Sequence, residues 1–344
     1  MKIDGGLPHS LADRESAARG ARLAASVGYD RLFAAEAAHD PFLPVALAAG
    51  AADVDLGTNV AVAFARNPMT TAMVANDLQV LTGGRFILGL GSQVKAHITR
   101  RFSMPWSHPA ARMREFVLAL RAIWESWQPG GRLRFEGTFY RHTLSNPLFQ
   151  PGPNPFGPPR VFLAAVGPRM TEVAGEVADG LMCHAFTSPA YLAEVTLPAL
   201  RRGLARAGRA DGAVEVCLPV LLATGPSGAD LEPEIDRVRR QVAFYASTPA
   251  YRAVLDHHGW GDLHGEAHRL SVEQRWEEMA GLVDDDILHT LAVVADAGSL
   301  ADVVRERFGR LVTGLRLNVP YADAPEVWAP VIEKLGQPVE EPVG

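Results

Sequence analysis

The chain has 344 residues, 48% hydrophobic and 21% charged, a balance that supports a large buried core and excludes collagen-like, disordered and disulfide-scaffold chains. A formal net charge of −6 with no basic run argues against a nucleic-acid partner. Two cysteines, Cys183 and Cys217, outside any CxxC pair, suit a reducing compartment; with no apolar leader segment and no bilayer-length apolar run, the expectation is a cytoplasmic protein that meets no membrane.

Residues 3–7 read as a first strand. Ser10 is placed to cap a helix that runs to about Val27 and stops at Gly28. Arg31 to Glu36 is a second strand, followed by an Ala-rich helix over about 42–52. Leu56 to Phe64 is a third strand, and Pro68 opens a helix through about Leu81. Gly83-Gly84 breaks it before the fourth strand, Arg85 to Gly91. Met113, Phe116, Val117, Leu120, Ile123, Trp124 and Trp127 share one face of a helix over 108–127. Residues 129–158 break the rhythm, with a hairpin or extended excursion at Phe135–Tyr140 and a Pro- and Gly-rich loop from Asn146 to Pro159. Val161 to Ala165 is strand five, then comes a helix from about Pro168 to Ala178. Leu181 to Ala185 is strand six and Val214 to Ala223 strand seven. Residues 228–290 form a long, mostly helical insertion. A helix near 299–308 precedes strand eight, about Leu315 to Val319.

Early strands recur every roughly 25 to 30 residues, the rhythm of βα units on a parallel sheet. They are apolar on both faces, as a sheet covered on both sides requires. Eight strands with intervening helices predict an α/β fold, a (β/α)8 TIM barrel, as one domain over residues 1–344 with insertions at about 129–158 and 228–290. The alternative is an open doubly wound sheet, weakened because neither GxGxxG nor GxxxxGK[ST] follows any strand.

In a barrel, chemistry belongs at the C-terminal strand ends. These ends carry Glu36, His39 and Asp40 after strand two; Asn59, Arg66 and Asn67 on strand three; Ser92, Gln93, Lys95 and His97 after strand four; Cys183 and His184 on strand six; Asn318 and Tyr321 on strand eight. There is no GxSxG nucleophile elbow, and Lys95 alone is placed for Schiff-base chemistry. After strand five, Ala164-Ala165-Val166-Gly167-Pro168 lets a ligand approach the backbone and leaves helix N–H groups free for an anion; an ordinary tight βα turn is equally consistent. His39 beside Asp40 reads either as a general base oriented by a carboxylate or as a loop histidine next to a helix-capping aspartate. His184 is either a catalyst or a wall residue. His257, His258, His264 and His268 match no familiar metal-ligand spacing, so no metal is expected. Phe244, Tyr245, Tyr251 and Trp260 either line an apolar pocket under a lid or form the insertion's own core.

Four segments, in order, form a more specific signature: Leu56–Val62 followed by Arg66-Asn67-Pro68; Gly83–Gly91; Val161–Pro168; and Ala174–Gly180. With these segments the chain resembles the luciferase-like monooxygenase superfamily and, within it, the oxidoreductases that use the deazaflavin coenzyme F420. The resemblance implies a barrel with an insertion, usually a homodimer, with the cofactor ring in the barrel mouth. It also implies a non-proline cis peptide at Asn59-Val60 behind the ring, an acid at Glu36, and Ser92 and Gln93 beside the ring. Ala164, Ala165, Val166, Gly167 and Pro168 would meet the phosphate-bearing side chain. Lys95, Arg100, Arg101 and Arg169 would supply a basic rim. The sequence departs from the acid and base pattern of some deazaflavin dehydrogenases: Glu36-Ala37 replaces Asp-His, and Val94 occupies a glutamate position. His39, Gln93 and His184 are then the candidates for handling the proton. The expected function is deazaflavin-dependent hydride transfer to or from a small, partly apolar substrate. The alternatives are a monooxygenase using flavin mononucleotide (FMN) and a non-catalytic flavin or deazaflavin carrier.

Overall fold

The computed structural model describes residues 1–7 and 15–338. Its strands are β1 (Lys2–Gly6), β2 (Arg31–Ala34), β3 (Asp55–Thr58), β4 (Phe86–Gly91), β5 (Arg160–Ala164), β6 (Gly180–Met182), β7 (Glu215–Pro219) and β8 (Gly314–Arg316). Each pairs in parallel with the next, and β8 closes on β1 with Ile3 opposite Leu315, so the eight strands form a closed TIM barrel and not an open sheet. The helices are α1 (Ser16–Val27), α2 (Phe42–Ala48), α3 (Pro68–Leu81), α4 (Pro109–Ser126), α5 (Pro168–Val177) and α6 (Leu197–Arg206). The insertion after β7 carries α7 (Leu231–Ala246), α8 (Arg252–His257), α9 (Gly261–Val272), α10 (Trp276–Ala280) and α11 (Asp285–Leu291); α12 (Ala297–Phe308) and α13 (Pro325–Gly336) complete the chain.

Local signals set most helix ends. Gly28 stops α1 with φ 104°, a left-handed geometry that glycine adopts without Cβ cost. The Asn67 side chain accepts from Thr70 N–H and Pro68 takes the first position of α3, while Asp296 caps α12. The Ser10 cap lies outside the described residues. The apolar stripe of α4 is buried from Met113 to Trp127.

Strands two, six and eight end two or three residues earlier than the sequence reading, at Ala34, Met182 and Arg316, and three further elements depart from it. The helix expected over 42–52 ends at Ala48. Strand three stops at Thr58; the Asn59–Val60 peptide is cis, and Ala61–Val62 resumes pairing opposite Leu90–Gly91 of β4. Strand seven stops at Pro219, which has no N–H to continue a ladder. Leu222–Ala223 leaves the barrel and pairs with Val293–Val294 at the far end of the insertion.

Side chains inside the barrel form layers. The floor is ionic. Arg31, 1% exposed, donates to Asp4 Oδ1 at 2.6 Å and to Glu215 Oε2 at 2.6 Å, and Arg160 joins Glu215 at 3.2 Å and also Asp55. Phe33, Ile87, Phe162, Met182 and Cys217 pack above it. A Cβ on Gly89 would fall 1.8 Å from the Thr58 carbonyl oxygen, so only glycine fits between β3 and β4.

The 129–158 excursion holds a short hairpin, Phe135–Glu136 against Arg141–His142. Glu115 pins its tip by accepting from the N–H groups of Thr138, Phe139 and Tyr140. The 228–290 insertion builds a second apolar cluster from Val238, Val242, Leu255, Leu270 and Leu288, joined to Phe186 and Leu221 at the barrel ends.

Candidate functional site

A cavity of about 820 Å³ opens at the C-terminal ends of the strands. Its first arc, from β3 to β5, is mostly backbone and small side chains: Asn59, Val60, Gly91, Ser92, Gln93 and Ala164 to Gly167. The second arc, from β6 to β8, carries Cys183, His184, Pro219 to Leu222, Arg316 and Asn318. The insertion roofs it with Arg237, Gln241, Tyr245 and Tyr251.

The first arc is held from behind. Glu36 does not line the cavity. Its backbone N–H donates to Val60 O at 3.2 Å, while its Oε2 accepts from Val62 N–H at 2.7 Å and Arg66 Nη1 at 2.5 Å. Arg66 also reaches Asp40 Oδ2 at 3.1 Å. The acid therefore braces the Asn59–Val60 segment from both sides. At β4, Ser92 Oγ donates to Gln93 O, and Gln93, at φ 60°, accepts Val94 N–H on its Oε1. That leaves the Gln93 amide nitrogen to donate.

At β5 the cavity is continuous with a second hollow of about 740 Å³, the two sharing Pro109, Gly167 and Met170. α4 and α5 both begin here, each with proline at its first turn. The opening N–H groups of a helix lack intrahelical acceptors, so two positive helix ends face this hollow. A Cβ on Gly167 would meet nothing within 4 Å. Arg169 lines this hollow. Lys95 lines the main cavity. Arg101 is turned to the Ala37 carbonyl, and Arg100 is exposed.

The proton-handling candidates are separated by position. His39 is exposed and lies outside the cavity lining, and Asp40 is committed to the Phe42 and Leu43 N–H groups and to Arg66. Asp40 thus serves the start of α2. Gln93 and His184 line the cavity on opposite arcs. The ring of His184 stacks on Tyr251 with centroids 4.2 Å apart and meets Tyr245 edge-on at 4.9 Å. Its Nδ1 accepts from Phe186 N–H at 3.0 Å, which fixes the ring proton on Nε2. Burial pushes the imidazole down to about 4, so His184 is a neutral donor at pH 7. Burial pushes the Cys183 thiol up to about 12 and the Tyr251 phenol up to about 12, leaving both protonated. Cys183 is therefore an inert wall residue.

Other sequence candidates serve elsewhere. Tyr321 packs on Tyr29 with centroids 5.0 Å apart. The four insertion histidines are satisfied one by one: His257 by Glu194, His258 by Ser188, His264 by Ala246 O and His268 by Ser247 O. The insertion aromatics divide. Tyr245 and Tyr251 face the cavity, Trp260 stacks on His258, and Phe244 is exposed. Sequence reasoning missed Arg316, although a charge inside Leu315-Arg316-Leu317 marks an interior polar position on an otherwise apolar strand.

This architecture has known counterparts. The luciferase-like monooxygenase family model matches residues 2–314. An uncharacterized protein of Mycobacterium tuberculosis is 54% identical, over 89% of this chain and 90% of its own. The F420-dependent glucose-6-phosphate dehydrogenase of Intrasporangium calvum is 28% identical, over 82% of each chain. Among solved structures, the coenzyme F420-dependent tetrahydromethanopterin reductase of Methanopyrus kandleri superposes with a TM-score of 0.76, covering 97% of this chain and 98% of its own at 20% identity. No described helix is long and apolar enough to cross a membrane. From the strand rhythm through the closed barrel to the match over residues 2–314, the chain belongs to the luciferase-like monooxygenase family.

Proposed function

We propose that this protein is an oxidoreductase that uses the deazaflavin coenzyme F420 to transfer a hydride to or from a small, partly apolar organic substrate. One observation carries the reading: a smooth, small-residue arc continuous with a hollow at two helix N-termini. A flat ring fits against Gly91, Ala164 and Ala165. An anionic side chain fits over Gly167, where the hollow is open and the helix N–H groups are free. When bound, a deazaflavin supplies a ring carbon that exchanges hydride as a two-electron step.

The chain's own residues do the rest. Asn59, Val60, Ser92 and Gln93 form the wall for the ring, braced by Glu36 and Arg66. Across the cavity, His184 Nε2–H donates to a substrate oxygen. A neutral imidazole donor polarises a carbonyl, or receives an alkoxide, without bringing a full charge into an apolar site. Tyr245 and Tyr251 hold that ring in place and exclude water. Gln93, on the facing arc, is the remaining candidate for proton transfer inside the cavity, since His39 stands outside it. We also propose a homodimer: Leu144, Leu148 and Phe149 are 85%, 82% and 75% exposed beside Met69 and Met73, an apolar patch of the kind that self-association covers.

The test is a parallel fluorescence titration of the protein with oxidised deazaflavin and with FMN. Tight binding of deazaflavin alone supports hydride transfer. Preference for FMN moves the reading to oxygen chemistry, and binding without turnover of any substrate moves it to a carrier.

A further inference from the structure

The two arcs differ in charge. Arg316 is an interior residue of β8. It stands in register with Asp4 of β1 and Pro219 of β7, two residues above Gly314, whose Cβ would strike the floor arginine Arg31 at 2.2 Å. Its guanidinium leans over β1, since a Cβ on Gly6 would sit 3.4 Å from its Nη2. It lines the cavity, yet its Nε is buried with no hydrogen-bond partner. Among the described residues it forms no ion pair. The carboxylate that influences it, Asp4, is already bound to Arg31. Burial also lowers its affinity for its proton, as expected of a cation without a counter-ion. The roof arginine, Arg237, differs: Glu234, Gln241 and Leu222 O engage its nitrogens.

A half-buried guanidinium with an open fork is matched by a planar anion that can accept two parallel hydrogen bonds. The β3–β5 arc and its hollow are accounted for by the proposed cofactor, so the anion on the β8 side comes with the substrate. We infer that Arg316 is a specificity residue that selects substrates carrying a carboxylate, with the apolar remainder against Leu221, Tyr245 and Tyr251. The inference deepens the proposed function and rests on it only in calling that anion a substrate.

The test measures calorimetric affinities of the wild-type protein for benzoate, phenylacetate and hexanoate, each against its amide. The carboxylate is expected to bind about 10- to 100-fold more tightly within at least one pair. Arg316→Met should abolish that preference and Arg316→Lys should keep part of it, the melting temperature of each variant showing that it is folded. No preference within any pair, or a preference that survives R316M, overturns the inference. So does an R316M variant that loses deazaflavin affinity while binding carboxylates normally. The wild-type comparison stands even if a variant fails to fold. Deazaflavin titration of the same samples separates the two claims. If the cofactor does not bind but the carboxylate preference holds, the proposed function fails and the anion site remains; the reverse result sinks this inference alone.

Discussion

The barrel floor and the barrel mouth both contain arginine, and they treat it in opposite ways. On the floor, Arg31 and Arg160 sit in a closed network with Asp4, Glu215 and Asp55, contributed by five different strands. In the mouth, Arg316 has no ionic partner among the described residues, and His184 has one ring nitrogen fixed by backbone and the other left to donate. A buried ion pair is costly to break and adds little net stability, whereas a buried polar group without a partner costs stability until a ligand completes it. The floor therefore reads as structure and the mouth as a place prepared for something else.

The largest test of this contrast is Arg31→Met. It strands buried Asp4 and takes one of the two arginine partners of Glu215, and we expect a loss of about 3–5 kcal/mol in denaturant unfolding. Arg316→Met should leave unfolding stability unchanged or raise it, because it removes a half-buried charge that has no ionic partner among the described residues. Equal losses at both positions would erase the distinction.

Glycines sharpen it next. Gly89→Ala should cost about 1–3 kcal/mol or more, since its methyl group meets the Thr58 backbone carbonyl. Gly167→Leu should change stability by no more than about 0.5 kcal/mol because its surroundings are open. Cofactor affinity should nevertheless fall by about tenfold or more, as the new side chain fills the hollow over the turn. Unchanged affinity in the titration would remove the turn from the site.

Acid stability probes His184. Its proton affinity is lower folded than unfolded, so the unfolded chain binds the extra proton between about pH 6.5 and about pH 4. The His184 contribution should be fully present above pH 6.5, decline as the pH falls, and level off below 4, by at most about 3 kcal/mol, against an opposite trend from Asp4, whose carboxyl burial pushes up to about 6. His184→Gln should remove that contribution from the pH profile, leaving the Asp4 trend, and lower turnover by about 10²-fold. The smallest effect is expected at His39. H39A should leave cofactor affinity and turnover within about twofold, because His39 is exposed outside the cavity; a large loss would return the proton-handling role to the β2 side.

Much of the barrel was legible because its signals are local. Gly28, Asn67, Pro68 and Asp296 act within a turn of their own helices, and apolar strands at a regular spacing imply βα units. The Ala164–Pro168 turn was found from a short segment that carries its own backbone chemistry, whereas the Asn59–Val60 break was expected only from the family resemblance, the residues alone reading Leu56 to Phe64 as one strand. The carboxylate of Glu36 proved to brace the wall rather than line it, and Asp40 proved to serve a helix start and not His39. Such choices depend on which N–H group lies nearest in space.

What the sequence determined by itself was the order of strands and helices, the placement of the glycine and proline turns, and the set of polar residues at the strand ends. Only the tertiary structure decided which of these meet. Tyr251 reaches His184 because the insertion folds back over β6, and Leu222–Ala223 leaves the barrel because Val293–Val294 offers a ladder once Pro219 has ended the strand. Arg31 and Arg316 are both arginines on barrel strands, but closing the barrel brings Asp4 and Glu215 onto one and leaves the other facing the cavity. Local periodicity arises between near neighbours along the chain. Charge pairing, burial and proton affinity arise between residues that closure alone brings together.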